Sequence, residues 1–180
     1  MKNVNSRQFQ PIWGGRARKI LLLAVLVKAA GALATPPVGF LVNQILAMGS
    51  AMDSISQQVQ MGSAPDGSDE RWQVQLQAQG ATDFYVQQLA LAPGGYSGWH
   101  THPGILVGTV VSGGIDFYDA NCQKHSYTPG QVFMENSQPH GIINTGTVNA
   151  ELSIAYLVKH NAARRIEADA PACASTTGIP

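Results

Sequence analysis

An all-β fold, a single antiparallel sandwich or barrel, is what the sequence predicts for residues 72 to 160, on three observations. Charged residues make up only 12% of the 180-residue chain, while glycine occurs 19 times. That composition suits turn-rich β structure better than a helical bundle. Apolar and polar residues alternate in short runs, as in Trp72-Gln73-Val74-Gln75-Leu76-Gln77-Ala78, the pattern of a strand with one buried and one wet face. Gly/Pro turns separate the runs at intervals of about ten residues, as in sandwiches and barrels. The length suffices for one domain with a real core, not comfortably for two.

The segment before the β region reads differently. Residues 1 to 19 carry Lys2, Arg7, Arg16, Arg18 and Lys19 and no acid. Ile20 to Val27 is apolar, and after Lys28 a run of small residues ends in Ala32-Leu33-Ala34. A basic, then apolar, then A-x-A order is the layout of a secretory signal helix with cleavage near Ala34. It predicts an exported protein, periplasmic or secreted. No twin-arginine pair is present, which favours the general secretory route. The apolar run falls short of the roughly 20 residues a membrane span needs. An ordinary helix or an uncleaved anchor is the competing reading, and Lys28 counts towards it. Past residue 34 the chain keeps five basic against eleven acidic residues, a net of −6. A mildly acidic surface is a poor partner for nucleic acid or anionic lipid.

The remaining elements follow in order. Residues 35 to 71 form a lead-in: Thr35-Pro36-Pro37 is extended, residues 40 to 61 fit a helix or a strand, and Gly62 to Glu70 is a loop. After strand 72–78, Phe84 to Leu91 is a second strand and Pro93-Gly94-Gly95 a turn. Ile105 to Val111 is a strand buried on both faces. Ser112-Gly113-Gly114 turns it into Ile115 to Tyr118 as a hairpin. Thr128-Pro129-Gly130 leads into Gln131 to Glu135, then Gly141 to Asn144 and Glu151 to Val158 complete the set. The tail, 161 to 180, begins as a short helix over Ala162 to Ala168. Two cysteines, Cys122 and Cys173, form a disulfide in an oxidising compartment or remain two thiols in a reducing one. Closing a loop of that size is worth roughly 4 kcal/mol in the chain-entropy model.

Chemistry concentrates in Gly94-Gly95-Tyr96-Ser97-Gly98-Trp99-His100-Thr101-His102. Residues i and i+2 of a strand share a face, so His100 and His102 can hold one ion together. A third ligand has to come from a distant strand, and His140, at a turn-to-strand junction, is the well-placed candidate. Trp99 has the opposite parity to His100 and packs outside the barrel, with Tyr96 also flanking the ligands. His125, His160, Asp116 and Asp119 read as ordinary surface or hairpin residues.

These residues resemble the motifs of the cupin superfamily. Gly94-x5-His100-x-His102, with Gly113 near the closing position, is similar to the first motif; Gly130 and His140-x3-Asn144 are similar to the second. The resemblance spans about residues 72 to 158 and implies an antiparallel jelly-roll barrel (a double-stranded β-helix). It implies one divalent metal ion (Fe, Mn, Zn or Ni) on His100, His102 and His140, and homodimerisation. Two departures stand out. The family's first-motif glutamate falls at Leu106 or Val107, both apolar, and P-x-G of the second motif is replaced by Asn136-Ser137-Gln138. Glu135, the nearest acid, is either a substitute ligand, a residue behind the ligands, or, preferred here, a rim residue.

Three functions follow. A three-histidine iron centre, with Leu106 and Val107 making a water-poor pocket beside it, implies a dioxygenase-like oxidoreductase on an unidentified small molecule. The same histidines also fit a non-catalytic binding module. A metal-free barrel with structural histidines is the third. Neither a separate general base nor a nucleophile elbow is evident in the sequence.

Overall fold

The computed structural model describes residues 35–62 and 72–180; the expected signal segment and all but Gly62 of the expected loop, Gly62 to Glu70, lie outside them. The strands are β1 (Val38–Ala51), β2 (Ile55–Met61), β3 (Trp72–Ala78), β4 (Thr82–Tyr96), β5 (His100–Thr101), β6 (Gly104–Ser112), β7 (Ile115–Tyr118), β8 (Lys124–Tyr127), β9 (Val132–Glu135), β10 (Gly141–Ile143), β11 (Ala150–Lys159) and β12 (Ile166–Glu167). Among the described residues the only helical element is a 3-10 turn at Ala174–Thr176. No helix there is long and apolar enough to cross a membrane.

The strands run in the order β8-β7-β10-β4-β11-β6-β9, with β1 also on β4, and curl into a nearly closed antiparallel barrel. Alternation sets what faces inward. Along β11, Leu152, Ile154, Tyr156 and Val158 are buried, and along β6, Leu106 and Val110. They meet Leu89, Leu91, Phe117, Phe133 and Ile142 in one core. Gly108 sits opposite Phe133 in the β6–β9 ladder. A Cβ there would meet the Phe133 ring at 2.2 Å, so the missing side chain makes room for the ring.

Several expectations change. Residues 40 to 51 and 55 to 61 lie in strands, and β4 continues through Pro93-Gly94-Gly95 instead of turning. Gly94, at φ 74°, bends the chain there. Its N–H still donates to Asn144 O, and Gly95 O accepts from Asn144 N. The expected hairpin of 105–111 with 115–118 does not form: β6 pairs with β9 and β11, and β7 with β8 and β10. Gly113, at φ 70° and packed against Asn149 and Ala150, makes a corner between layers instead. The tail helix over Ala162 to Ala168 is absent. That segment is extended, and Ile166–Glu167 pair with Thr101 and His100, because ladder bonds across the barrel mouth outweigh a weak local helix preference.

A second core lies outside the barrel. Trp99 is fully buried there with Tyr118, Ile143, Ala174 and Ile179. The Cys122–Cys173 disulfide ties the tail to the turn beside it, and the Thr35 hydroxyl donates to Pro180 O.

Asp83 joins β1, β4 and the tail. Its carboxylate accepts from Ser50 Oγ (2.6 Å), His160 Nδ1 (2.8 Å) and Asn161 N (3.0 Å). These bonds, Ser50's first and then His160's, pull its pKa from 3.8 down to about 2. A depressed carboxylate stabilises the fold above its unfolded value and loses that contribution as pH falls through the folded one. Asp83→Asn should therefore lower the urea midpoint at pH 7. It should also flatten the decline between pH 4 and 2. An unchanged acid limb would refute this account.

Candidate metal centre

The site is assembled by an antiparallel bridge between His100 in β5 and His140, the residue before β10. His100 and His140 exchange both backbone hydrogen bonds, each 2.9 Å, which brings two distant segments side by side. His102 lies two residues beyond His100, and their ring centroids are 4.9 Å apart. The His100–His140 and His102–His140 centroids are 4.4 and 5.1 Å apart. All three rings are buried.

The fourth member is Glu135. Its Oε2 lies 2.9 Å from His102 Nε2 and 3.3 Å from His140 Nε2. It is buried, not at the rim. One ligating atom from each of His100, His102, Glu135 and His140 falls within 4.8 Å of all the others. Glu135 is the direct ladder partner of Leu106. The carboxylate missing from β6 is thus supplied from the strand opposite. The sequence held a faint signal for this, since Glu135 shares the inward parity of Phe133 on β9.

Leu106 is buried and lines the cavity beside the cluster. Val107 points outward and is exposed, so the pair cannot both wall the pocket. Asn144 is buried but serves the corner into β11: its amide donates to Leu91 O and Val148 O and accepts from Gly146 N. His125 and His160 stay outside the cluster. Asp116 is more than a hairpin polar residue, being buried and bonded by Ser126 and Thr145.

Hydrogen bonding fixes the tautomers. His100 Nδ1 faces Gly98 O at 3.1 Å, His102 Nδ1 faces Arg164 O at 2.5 Å, and His140 Nδ1 faces Gln138 O at 2.7 Å. A carbonyl only accepts, so every Nδ1 carries the proton and donates. Each Nε2 is thereby left facing the centre, the nitrogen through which a ring held this way binds a metal. Two of these nitrogens, those of His102 and His140, face the Glu135 carboxylate. His140 Nε2 is buried with no hydrogen-bond partner. Burial holds the His100 pKa well below the usual histidine value of 6.5, so that ring resists protonation. Burial alone would raise Glu135; its contacts with His102 and His140 outweigh that and hold it below the carboxylate range. A proton on one ring satisfies one contact. A cation at the centre satisfies four donors together, so the donor set fits a divalent ion.

A buried cluster of three imidazoles and one carboxylate inside an antiparallel barrel defines the class: a β-barrel whose interior carries a donor set able to hold a metal ion. The Cupin_2 family model, described as the cupin domain, matches residues 88–158, and that part of the chain, from within β4 to within β11, is its cupin domain. No curated protein matches the chain. Among solved structures, an oxalate oxidase aligns at 18% identity with a TM-score of 0.41, over 47% of this chain and 45% of that one. The polyketide cyclase RemF from Streptomyces resistomycificus aligns at 16% and 0.42, over 54% and 69%. A predicted oxalate decarboxylase from Thermotoga maritima aligns at 21% and 0.38, over 45% and 83%. The chain spans less than half of the oxalate oxidase.

Proposed function

We propose that this is an exported metal-dependent cupin protein, with His100, His102, His140 and Glu135 holding one divalent ion, and that it acts as a dioxygenase-like oxidoreductase on a small molecule. The observation that carries the reading is the cluster's geometry: three Nδ1–H groups are committed to carbonyls, and one ligating atom from each ring and one from Glu135 lie within 4.8 Å of one another. A bound redox-active ion such as iron would supply oxygen and electron-transfer chemistry there. The chain supplies the rest. Leu106, Ile142 and Ile154 give the adjoining cavity an apolar wall, and the backbone carbonyls hold the rings. Four protein donors leave an ion that prefers six ligands two positions for small molecules. The Cys122–Cys173 disulfide supports export, since such bonds persist in oxidising compartments.

The test is elemental analysis of the purified protein, then oxygen uptake after iron loading with diketone, thiol and phenolic compounds. About one equivalent of metal with substrate-dependent uptake is expected. Metal without turnover would leave a binding module, and no metal under any loading would refute the centre.

A further inference from the structure

The cavity beside the centre contains a cation that the metal reading does not use. Arg164 lies beyond the family match, on the strap that leads from β11 into β12 and crosses the barrel mouth. Its Nη1 donates to Gln87 Oε1 at 2.9 Å. Its guanidinium stands 5.3 Å from the ring centroids of both Tyr85 and Tyr156. Gln87 is itself fixed, accepting from Tyr156 Oη at 2.5 Å and donating to Asn43 Oδ1. The guanidinium is therefore held in place. Among the described residues no carboxylate pairs with it. Arg165 next door is different: Glu167 takes its Nε and Nη2 at 2.6 and 2.8 Å, and Ser97 O takes Nη2 at 2.7 Å.

Arg164 lines one cavity with His100, His102 and Glu135, and the remaining walls include Phe40, Leu89 and Ile154. A half-buried guanidinium with most of its N–H groups unclaimed, beside apolar wall residues, lacks an anion. Its fork matches a carboxylate through two parallel bonds. A doubly charged phosphate suits the site poorly, because Glu135 already contributes negative charge and the second guanidinium on the cavity wall, Arg165, is committed to Glu167.

We propose that Arg164 is the ligand-recognising residue of this cavity and that the ligand is a small organic monocarboxylate, its apolar part against Phe40, Leu89 and Ile154. This rests on the cavity being the ligand chamber of the metal centre. Arg164 then acts twice: its side chain takes the carboxylate, while its main-chain oxygen orients His102. The two roles are separable, since substitution removes only the first.

The test is calorimetric titration of the full protein, metal-free and zinc-loaded, with isobutyrate and benzoate, their amides, and inorganic phosphate. The acids are expected to bind at least about tenfold more tightly than the amides, as a charge-assisted pair requires. Arg164→Gln should abolish the difference, and Arg164→Lys should keep part of it. Both variants should take up as much zinc as the parent. Equal binding of acid and amide, or a stronger response to phosphate, overturns the proposal. So does a carboxylate preference that survives Arg164→Gln, since the metal alone would then be its source. The acid-to-amide ratio reports on Arg164 and zinc uptake reports on the centre, so each reading fails separately.

Discussion

Glu135→Gln is expected to remove metal-induced stabilisation while leaving the metal-free protein as stable as its parent or more so. The two halves of that result share one cause. Without an ion, a buried carboxylate packs against His102 Nε2 at 2.9 Å and His140 Nε2 at 3.3 Å, and the latter nitrogen has no hydrogen-bond partner. An amide of the same shape donates to one of those nitrogens and removes a buried charge. With an ion, the carboxylate is the one protein anion in the cluster opposing its charge. Its loss leaves three neutral imidazoles, and affinity should fall by roughly 100-fold or more. For the parent, metal at about 1,000 times Kd adds about 4 kcal/mol. That corresponds to a rise of roughly 8–16 °C in Tm for a domain of this size. Thermal melts with and without zinc read both halves. A Tm rise in the variant equal to the parent's would remove Glu135 from the ligand set.

Acid should act on the metal-free centre in a fixed direction. His100 has its pKa lowered from 6.5 by burial, so below about pH 6.5 the unfolded chain binds a proton that the folded chain refuses. Stability falls with pH there. Metal uptake weakens over the same range, because a ligand needs the neutral ring.

Reducing or removing the Cys122–Cys173 bond is expected to be the most damaging change away from the centre. The sulfurs span 51 residues of chain, and freeing a loop of that length costs about 4 kcal/mol in the chain-entropy model. A typical domain has only about 5–15 kcal/mol in total. The tail supplies Ala174 and Ile179 to the core around Trp99. Undocking it should expose that indole and shift its fluorescence to longer wavelength. The tail also continues from the strap whose Arg164 carbonyl orients His102. Metal affinity should therefore fall on the order of 10-fold, the usual cost of losing a group that orients a ligand. Cys173→Ser with and without reductant checks this. Reductant should change the parent and leave the variant unaffected. Full stability of Cys173→Ser would show that the tail docks without the bond.

The corrections share a pattern. Strand β4 was legible in its apolar run, but its course through Pro93-Gly94-Gly95 was not, because the bonds that hold it extended come from Asn144. The corner at Gly113 looked like a hairpin turn, since a positive-φ glycine serves either purpose. Only the pairing of β6 with β9 and β11 separates the two. Trp99 was correctly placed outside the barrel by parity, yet its burial depends on Ala174 and Ile179, far along the chain.

The sequence by itself determined the period-2 strands, the shared face of His100 and His102, the distant His140 as their partner, and an even cysteine pair. All of these rest on local spacing or on motif. Tertiary structure alone decided that Glu135 enters the cluster and that Arg164 reaches the same cavity. The first depends on the register of β9 against β6, set where Phe133 packs over Gly108. The second depends on the tail pairing with β5. Register and docking are chosen by non-local packing, where a one-residue slip turns every side chain to the other face. Nothing in the residues flanking Glu135 or Arg164 carries that choice.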